Sequence, residues 1–228
     1  MSGDLDNRLS GPIDGALHLL DRQLLDSEGR MLGKVDDVEL SEIDGRLTIT
    51  GLLTGPEALL DRFGGRLGRI LGERWGQLRV SEPDRTRPWR VDVADVDRLD
   101  SAVHLAVRRE GVLRRDRERL RLGRLTGMDV EGADGQRIGR VLDARFEPES
   151  GRLVLCSLVV GHGRPGTLLG YDRHGRGSAH GPWLLRAIVL ALHRHTAIVA
   201  AEDAGISWAD ATVRLRSEPT RPPGHPFR

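Results

Sequence analysis

One motif is written into this chain twice. Asp26-Ser27-Glu28-Gly29-Arg30-Met31-Leu32-Gly33-Lys34-Val35-Asp36-Asp37-Val38 recurs as Gly132-Ala133-Asp134-Gly135-Gln136-Arg137-Ile138-Gly139-Arg140-Val141-Leu142-Asp143-Ala144. Gly29/Gly135, Leu32/Ile138, Gly33/Gly139, Val35/Val141 and Asp37/Asp143 match at a single offset of 106 residues. The same offset carries Gly45-Arg46-Leu47 onto Gly151-Arg152-Leu153 and Gly55 onto Gly161. A period this long is too large for a solenoid, whose units run to about 20–50 residues. Two copies of one small folding unit follow, and 228 residues leave room for both.

Each copy reads as mainly β. In the first, a turn at Glu28-Gly29 precedes a strand over Met31–Leu40, and a turn at Asp44-Gly45 precedes a strand over Leu47–Leu53. In the second, Asp134-Gly135 leads into Arg137–Glu147, and Glu149-Ser150-Gly151 leads into the apolar run Leu153–Val160. Asp-Gly pairs signal tight hairpin turns. Gly33 and Gly139 fall inside strands, which predicts a bulge or sharp bend. Each copy then inserts a helix-prone segment. Pro56 heads one with Ala58, Leu59, Leu60 and Phe63, and Pro182 precedes Trp183–His193. The closing strand is expected at Val91–Val96 in copy one and at Ile206–Ala211 in copy two, with Val103-His104-Leu105 then answering Val213-Arg214-Leu215.

These patterns divide the chain into a flexible N-terminus over 1–17, a first domain over 18–107, an Arg-rich linker over 108–124, a second domain over 125–216 and a Pro-rich tail over 217–228. Copy one holds 13 basic and 17 acidic residues, and copy two holds 11 and 10. The joint holds 8 Arg against 3 acids. It reads either as a solvated linker or as an anchor for an acidic surface, whether the first copy, a membrane or RNA.

The single Cys156 cannot form an internal disulfide, and its apolar surroundings predict a buried thiol acting as a small hydrophobe. No basic start followed by an apolar run marks a secretory leader, and no stretch reaches the roughly 18 apolar residues of a membrane span. A cytoplasmic protein is therefore expected. Lys34 is the lone lysine among 35 basic residues, a bias that points to a GC-rich genome.

Turn glycine, then apolar-Gly-x-Val, then an acidic residue, then Gly-Arg-Leu and an apolar strand resembles the PRC-barrel domain family. The resemblance is carried by Gly29, Leu32, Gly33, Val35, Asp37, Gly45 and Leu47, and again by Gly135, Ile138, Gly139, Val141, Asp143, Gly151 and Leu153. It covers most of 18–216 outside the basic joint. It implies a mainly β (α+β) fold of two tandem small PRC-like β-barrels, each with an inserted helical segment. It also implies an adaptor role in a bacterial protein, with no shared catalytic residues to transfer.

The residues themselves propose no reaction. The segment 161–181 is rich in Gly, His and Arg, but it holds neither Gly-x-x-x-x-Gly-Lys-Ser/Thr nor Gly-x-Gly-x-x-Gly in a strand-to-helix setting. His162, His174 and His180 lack structural-zinc spacing. Asp36 and Asp37 are neighbours on a strand, so their side chains face opposite sides. Ser178 near His180 has no elbow to present it. Neither a catalytic set, a cofactor nor a metal is expected. The candidate interaction surface is Arg114, Arg115, Arg117 and Arg119 in the joint, with Arg164, Arg173, His174 and Arg176 in the Gly-rich segment. A protein partner is the first expectation. RNA is disfavoured by an aromatic content of 4%, since strand binding relies on stacking, and Trp75, Trp89, Trp183 and Trp208 are assigned to core packing. Peripheral membrane contact through Trp183–Leu192 and the Arg cluster is the third reading, and integral insertion is not expected.

Overall fold

The computed structural model describes residues 12–62, 88–115, 120–162 and 196–217. In chain order they form β1 (Ile13–Asp14), α1 (Gly15–Leu19), β2 (Gln23–Leu25), β3 (Met31–Lys34), β4 (Asp37–Ile43), β5 (Arg46–Thr54), α2 (Pro56–Arg62), β6 (Trp89–Asp92), β7 (Val96–Leu99), β8 (Ala102–Leu105) and β9 (Arg114–Arg115). After these come α3 (Leu122–Leu125), β10 (Asp129–Glu131), β11 (Arg137–Glu149), β12 (Arg152–Gly161), β13 (Ala197–Ala200), β14 (Ala204–Ser207) and β15 (Thr212–Leu215). The fold is mainly β. Among the described residues, one sheet runs β14-β15-β10-β11-β12-β5-β6-β9, with β1, β4 and β13 paired alongside, and it curls into a half-barrel. A second sheet runs β3-β2-β8-β7.

The hairpins β4–β5 and β11–β12 each turn on two residues. Asp44 and Gly45 have φ of 53° and 74°, and Ser150 and Gly151 have φ of 50° and 76°. Left-handed backbone at both central positions matches the right-handed twist of the flanking strands, and glycine takes the second position without a Cβ clash. β12 sits inside the sheet, with one edge on β11 and the other first on β5 and then on β13. That is why Leu153, Leu155, Leu158 and Val160 are all core residues and its sequence is nearly continuous in apolar character.

The two repeats are interlocked. Thr48 and Val154, equivalent at the 106 offset, pair directly where β5 meets β12 in antiparallel register. A pseudo-twofold axis therefore passes between them. Across it Arg46 meets Glu149 at 2.6 Å and Arg152 meets Asp44 at 3.4 Å. The segment ahead of each repeat crosses to the other one. Ile13 and Asp14 pair with Phe146 and Arg145 of β11, while Leu40 donates its amide to the Leu120 carbonyl at 2.9 Å. Asp143 accepts the amides of Ala16 (2.8 Å) and Leu17 (3.1 Å), and Asp37 accepts the amide of Gly123 (2.8 Å). Leu17 and Gly123 are again 106 apart. The acidic residue of the repeated motif is thus the staple that holds the opposite repeat's entering helix.

Burial, opposed in part by those amide bonds and reinforced by the nearby Asp14 carboxylate, pushes the Asp143 carboxyl up to about 6. The folded chain then keeps a proton that the unfolded chain releases near pH 4. Stability from this group is complete below pH 4 and is lost as pH rises through about 6, a change of about 3 kcal/mol. Denaturant melts from pH 4 to 7 should show this loss, and Asp143→Asn should flatten it relative to the native chain. Equal pH dependence in the two proteins would refute the assignment.

Several expectations change in the structure. Residues 13–17 form β1 and the start of α1 instead of a loose start. The strand expected over Met31–Leu40 breaks between Lys34 and Asp37. There Val35 and Asp36 donate their amides to the carbonyls of Arg22 and Leu53, two different neighbours. The copy-two counterpart runs unbroken over Arg137–Glu149. The first closing strand is Trp89–Asp92, and its counterpart is Ala197–Ala200, not Ile206–Ala211. Leu52↔Val91 and Leu158↔Val199 occupy the same ladder position, and each strand ends in a 3-10 turn, Val93–Asp95 or Ala201–Asp203. The equivalence of Val103/Val213 and Leu105/Leu215 holds, since β8 and β15 both run parallel to the strand opening their repeat. Pro56 does begin α2, with Ala58 buried against the core. The segment 182–193 and the tail from 218 lie outside the described residues.

Gly139 is a site of close backbone approach within β11. A Cβ there would lie 2.8 Å from the Gly161 carbonyl oxygen, and φ is +156°. Gly139→Ala should cost about 2–3 kcal/mol in chemical denaturation. A cost below 0.5 kcal/mol would show that the strands can separate freely.

Cys156 is half-buried rather than fully buried. Its Sγ contacts the Arg145 carbonyl at 3.4 Å, and burial pushes its thiol up from the usual value, which keeps it protonated and unreactive. Trp89 is 38% exposed, so it is not a core residue. Trp208 is half-buried in a turn, with the Arg124 guanidinium 6.0 Å over its ring. Trp75 and Trp183 fall outside the described residues.

Candidate functional site

The second sheet buries one face and leaves the other open. Leu24, Val96, Leu99, Val103 and Leu105 point into the core, by period-two alternation in β8 and across a register shift between Val96 and Arg98 in β7. The opposite face carries a groove of about 580 Å³, lined by Asp21, Gln23, Leu25, Lys34, Arg98, Asp100, Ser101, Ala102 and His104. That volume lies within the range of small-ligand sites.

Its chemistry follows from the register. Gln23 pairs with Lys34 on one side and Ala102 on the other, and Leu25 pairs alongside His104. Arg98 lies opposite His104. Lys34 and Arg98 therefore stand on the two outer strands, while Gln23, Leu25 and Ala102 form the floor. Asp100, at the turn between β7 and β8, accepts the Ala102 amide at 2.9 Å and lies 3.1 Å from His104 Nε2 and 3.2 Å from Arg98 Nε. The Ala102 amide first, then His104 and Arg98, hold its carboxyl down to about 2. Asp100 is thus an anchored anion that fixes its neighbours.

The same face of the second repeat is electrostatically closed. There Asp129 takes the place of Gln23 and Glu131 the place of Leu25. Asp129 pairs with Arg137 at 2.7 Å and with Arg140, the counterpart of Lys34, at 3.2 Å. Glu131 pairs with Arg214, the counterpart of His104, at 3.3 Å. By pairing partner, Gly205 replaces Arg98. In the first repeat the floor offers an amide and an aliphatic chain instead of two carboxylates. Lys34 is exposed there and meets no carboxylate at ion-pair distance among the described residues.

Of the residues singled out from sequence, the structure describes two. Arg114 and Arg115 form β9, pairing with Arg90 and Trp89 at the edge of the large sheet. The joint around them is built into the fold, since Leu120 bonds β4 and Leu122–Leu125 form α3. Arg117, Arg119, Arg164, Arg173, His174 and Arg176 lie outside the described residues. The groove residues carried no motif in the sequence. Their signal was a difference between aligned copies, Gln23 and Leu25 against Asp129 and Glu131, at positions where the rest of the repeat agrees.

No helix among the described residues is long and apolar enough to cross a membrane. No family model matches the chain, and no curated protein matches it.

Proposed function

We propose that this protein is a non-enzymatic, cytoplasmic binding module made of two interlocked PRC-type barrels, and that it grips a protein partner through the groove of its first repeat. The observation that carries the reading is the asymmetry between copies. Polar residues shared by both repeats, Asp37 and Asp143 above all, are engaged in holding the fold together. Lys34 of copy one meets no carboxylate at ion-pair distance among the described residues, whereas its counterpart Arg140 is paired with Asp129. An unneutralised charge above a polar floor is a feature of recognition rather than of folding.

The test is affinity capture with the full chain from its native cell extract, against the Lys34→Glu/Arg98→Glu variant. One stoichiometric protein recovered by the native chain and lost with the variant is the expected result. Recovery unaffected by the charge reversal would overturn the groove, and recovery of no stoichiometric protein would overturn the adaptor reading. Ribosomal particles that dissociate steeply with salt would replace it with RNA binding through the Arg-rich joint.

A further inference from the structure

His104 cannot satisfy both of its neighbours at once. Its Nε2 lies 3.1 Å from Asp100 Oδ1 and 3.3 Å from Arg98 Nη2. A guanidinium only donates and an ionised carboxylate only accepts. With a proton on Nε2, His104 donates to Asp100 and turns an N–H toward the N–H of Arg98. With Nε2 bare, it accepts from Arg98 and presents a lone pair to Asp100. Full protonation places N–H on both ring nitrogens, so the imidazolium can no longer accept from Arg98. Arg98 keeps its Nε contact with Asp100 Oδ2, but Nη2 loses its acceptor on the ring.

The charges facing the groove sharpen this effect. Asp21 and the β7–β8 turn contribute one carboxylate each, β3 contributes Lys34, and β7 contributes Arg98. β2 supplies only Gln23 and Leu25, and β8 supplies Ala102 and His104. With His104 neutral the lining holds two cations against two carboxylates, and protonation tips it positive. The cations stand on opposite outer strands, three strand spacings across and two residues along, about 16 Å apart between backbones. Both are long and exposed, and the low floor between them lets each lean inward.

We propose that this groove is an oxyanion site, in which Lys34 and Arg98 hold a carboxylate, sulfate or phosphate group and a protonated His104 adds its positive charge beside them. The inference rests on the reading of the groove as a binding surface, and it names the chemistry a partner must present there. It also makes that contact stronger in acid.

Sulfate is the probe, because its charge is constant over the range, with chloride holding ionic strength fixed. Side-chain NMR of Lys34, Arg98 and His104 in the full chain is read at pH 5.5 and pH 8. Saturable shifts at all three residues are expected at pH 5.5, with binding about tenfold weaker at pH 8, the worth of roughly one close charge. Lys34→Ala and Arg98→Ala should abolish saturation. His104→Gln, which still donates to Asp100, should remove the pH dependence. These side chains are on the surface, so retained circular dichroism separates lost binding from lost folding. Shifts equal at both pH values would overturn the His104 control, and shifts matched by chloride alone would overturn the site. Sulfate binding is read without any partner, so its failure would leave the capture result to stand or fall separately.

Discussion

Asp14→Ala should destabilise the fold by about 3–5 kcal/mol, a large part of what a domain of this size possesses. Arg145 sits at the crossing of the two repeats with its side chain 6% exposed, and its Nε meets Asp14 Oδ1 at 2.5 Å. Its Nη2 is buried and has no hydrogen-bond partner. Asp14 is therefore the counter-charge of a guanidinium already short of acceptors. Asp143 is close but already accepts the amides of Ala16, Leu17 and Ala144. Removing Asp14 leaves a buried cation unpaired, the expensive half of a buried pair. Asp14→Ala combined with Arg145→Met should recover most of the loss, since replacing a buried pair by apolar groups is often neutral. Equilibrium urea unfolding of both variants measures it. A single-variant cost under 1 kcal/mol would mean that the arm carrying Asp14 adds nothing to stability.

The second large effect is expected at Phe146, which is fully buried at the same crossing. It pairs with Ile13 of the incoming arm, and a Cβ on Gly15 would come within 2.9 Å of both its ring and the Leu122 side chain. The ring thus fills the space where the two entering helices meet. Phe146→Ala should cost about 3–5 kcal/mol through lost burial and the cavity left behind. Because the cavity lies under the arm, amide exchange over Ile13–Leu19 should accelerate more than exchange in β4 and β5. Uniform acceleration would show that the arm and the sheet unfold as one unit.

The crossing also explains a difference between copies. Glu39 and Arg145 are equivalent at the 106 offset yet opposite in charge. Glu39 pairs with Arg90 at 2.8 Å, and Arg90 also donates to the Thr50 carbonyl. Arg145 pairs instead across the repeats with Asp14. Each buried charge has its own partner, so exchanging residues between copies one at a time would leave two charges unmatched.

The closing strand shows how similar composition can mislead. Val91-Asp92-Val93-Ala94-Asp95 and Ile206-Ser207-Trp208-Ala209-Asp210 look alike, but only the first stretch lies beside the central strand of its repeat. Ile206 belongs to β14 and Trp208 to a turn. The counterpart of Val91 is Val199, in a sequence of alanines that lacks a distinctive pattern. Ladder position, decided by a partner about 40 residues away in each case, overrode local resemblance.

The amino-acid order alone was enough to determine the duplication, the two-residue hairpins at Asp44-Gly45 and Ser150-Gly151, and the need for glycine at 139. These depend on backbone preferences within a few residues, which any reader of the chain can inspect. The exchange of arms and the open groove were decided only in three dimensions. Asp37 and Asp143 advertise that something is shared, but their acceptors serve amides about 86 and 127 residues distant. Likewise Lys34 and His104 meet one face only because β2 runs parallel to β8. Contacts between distant segments are chosen by which packing buries the most apolar surface and leaves the fewest polar groups unmatched, a property of the whole fold.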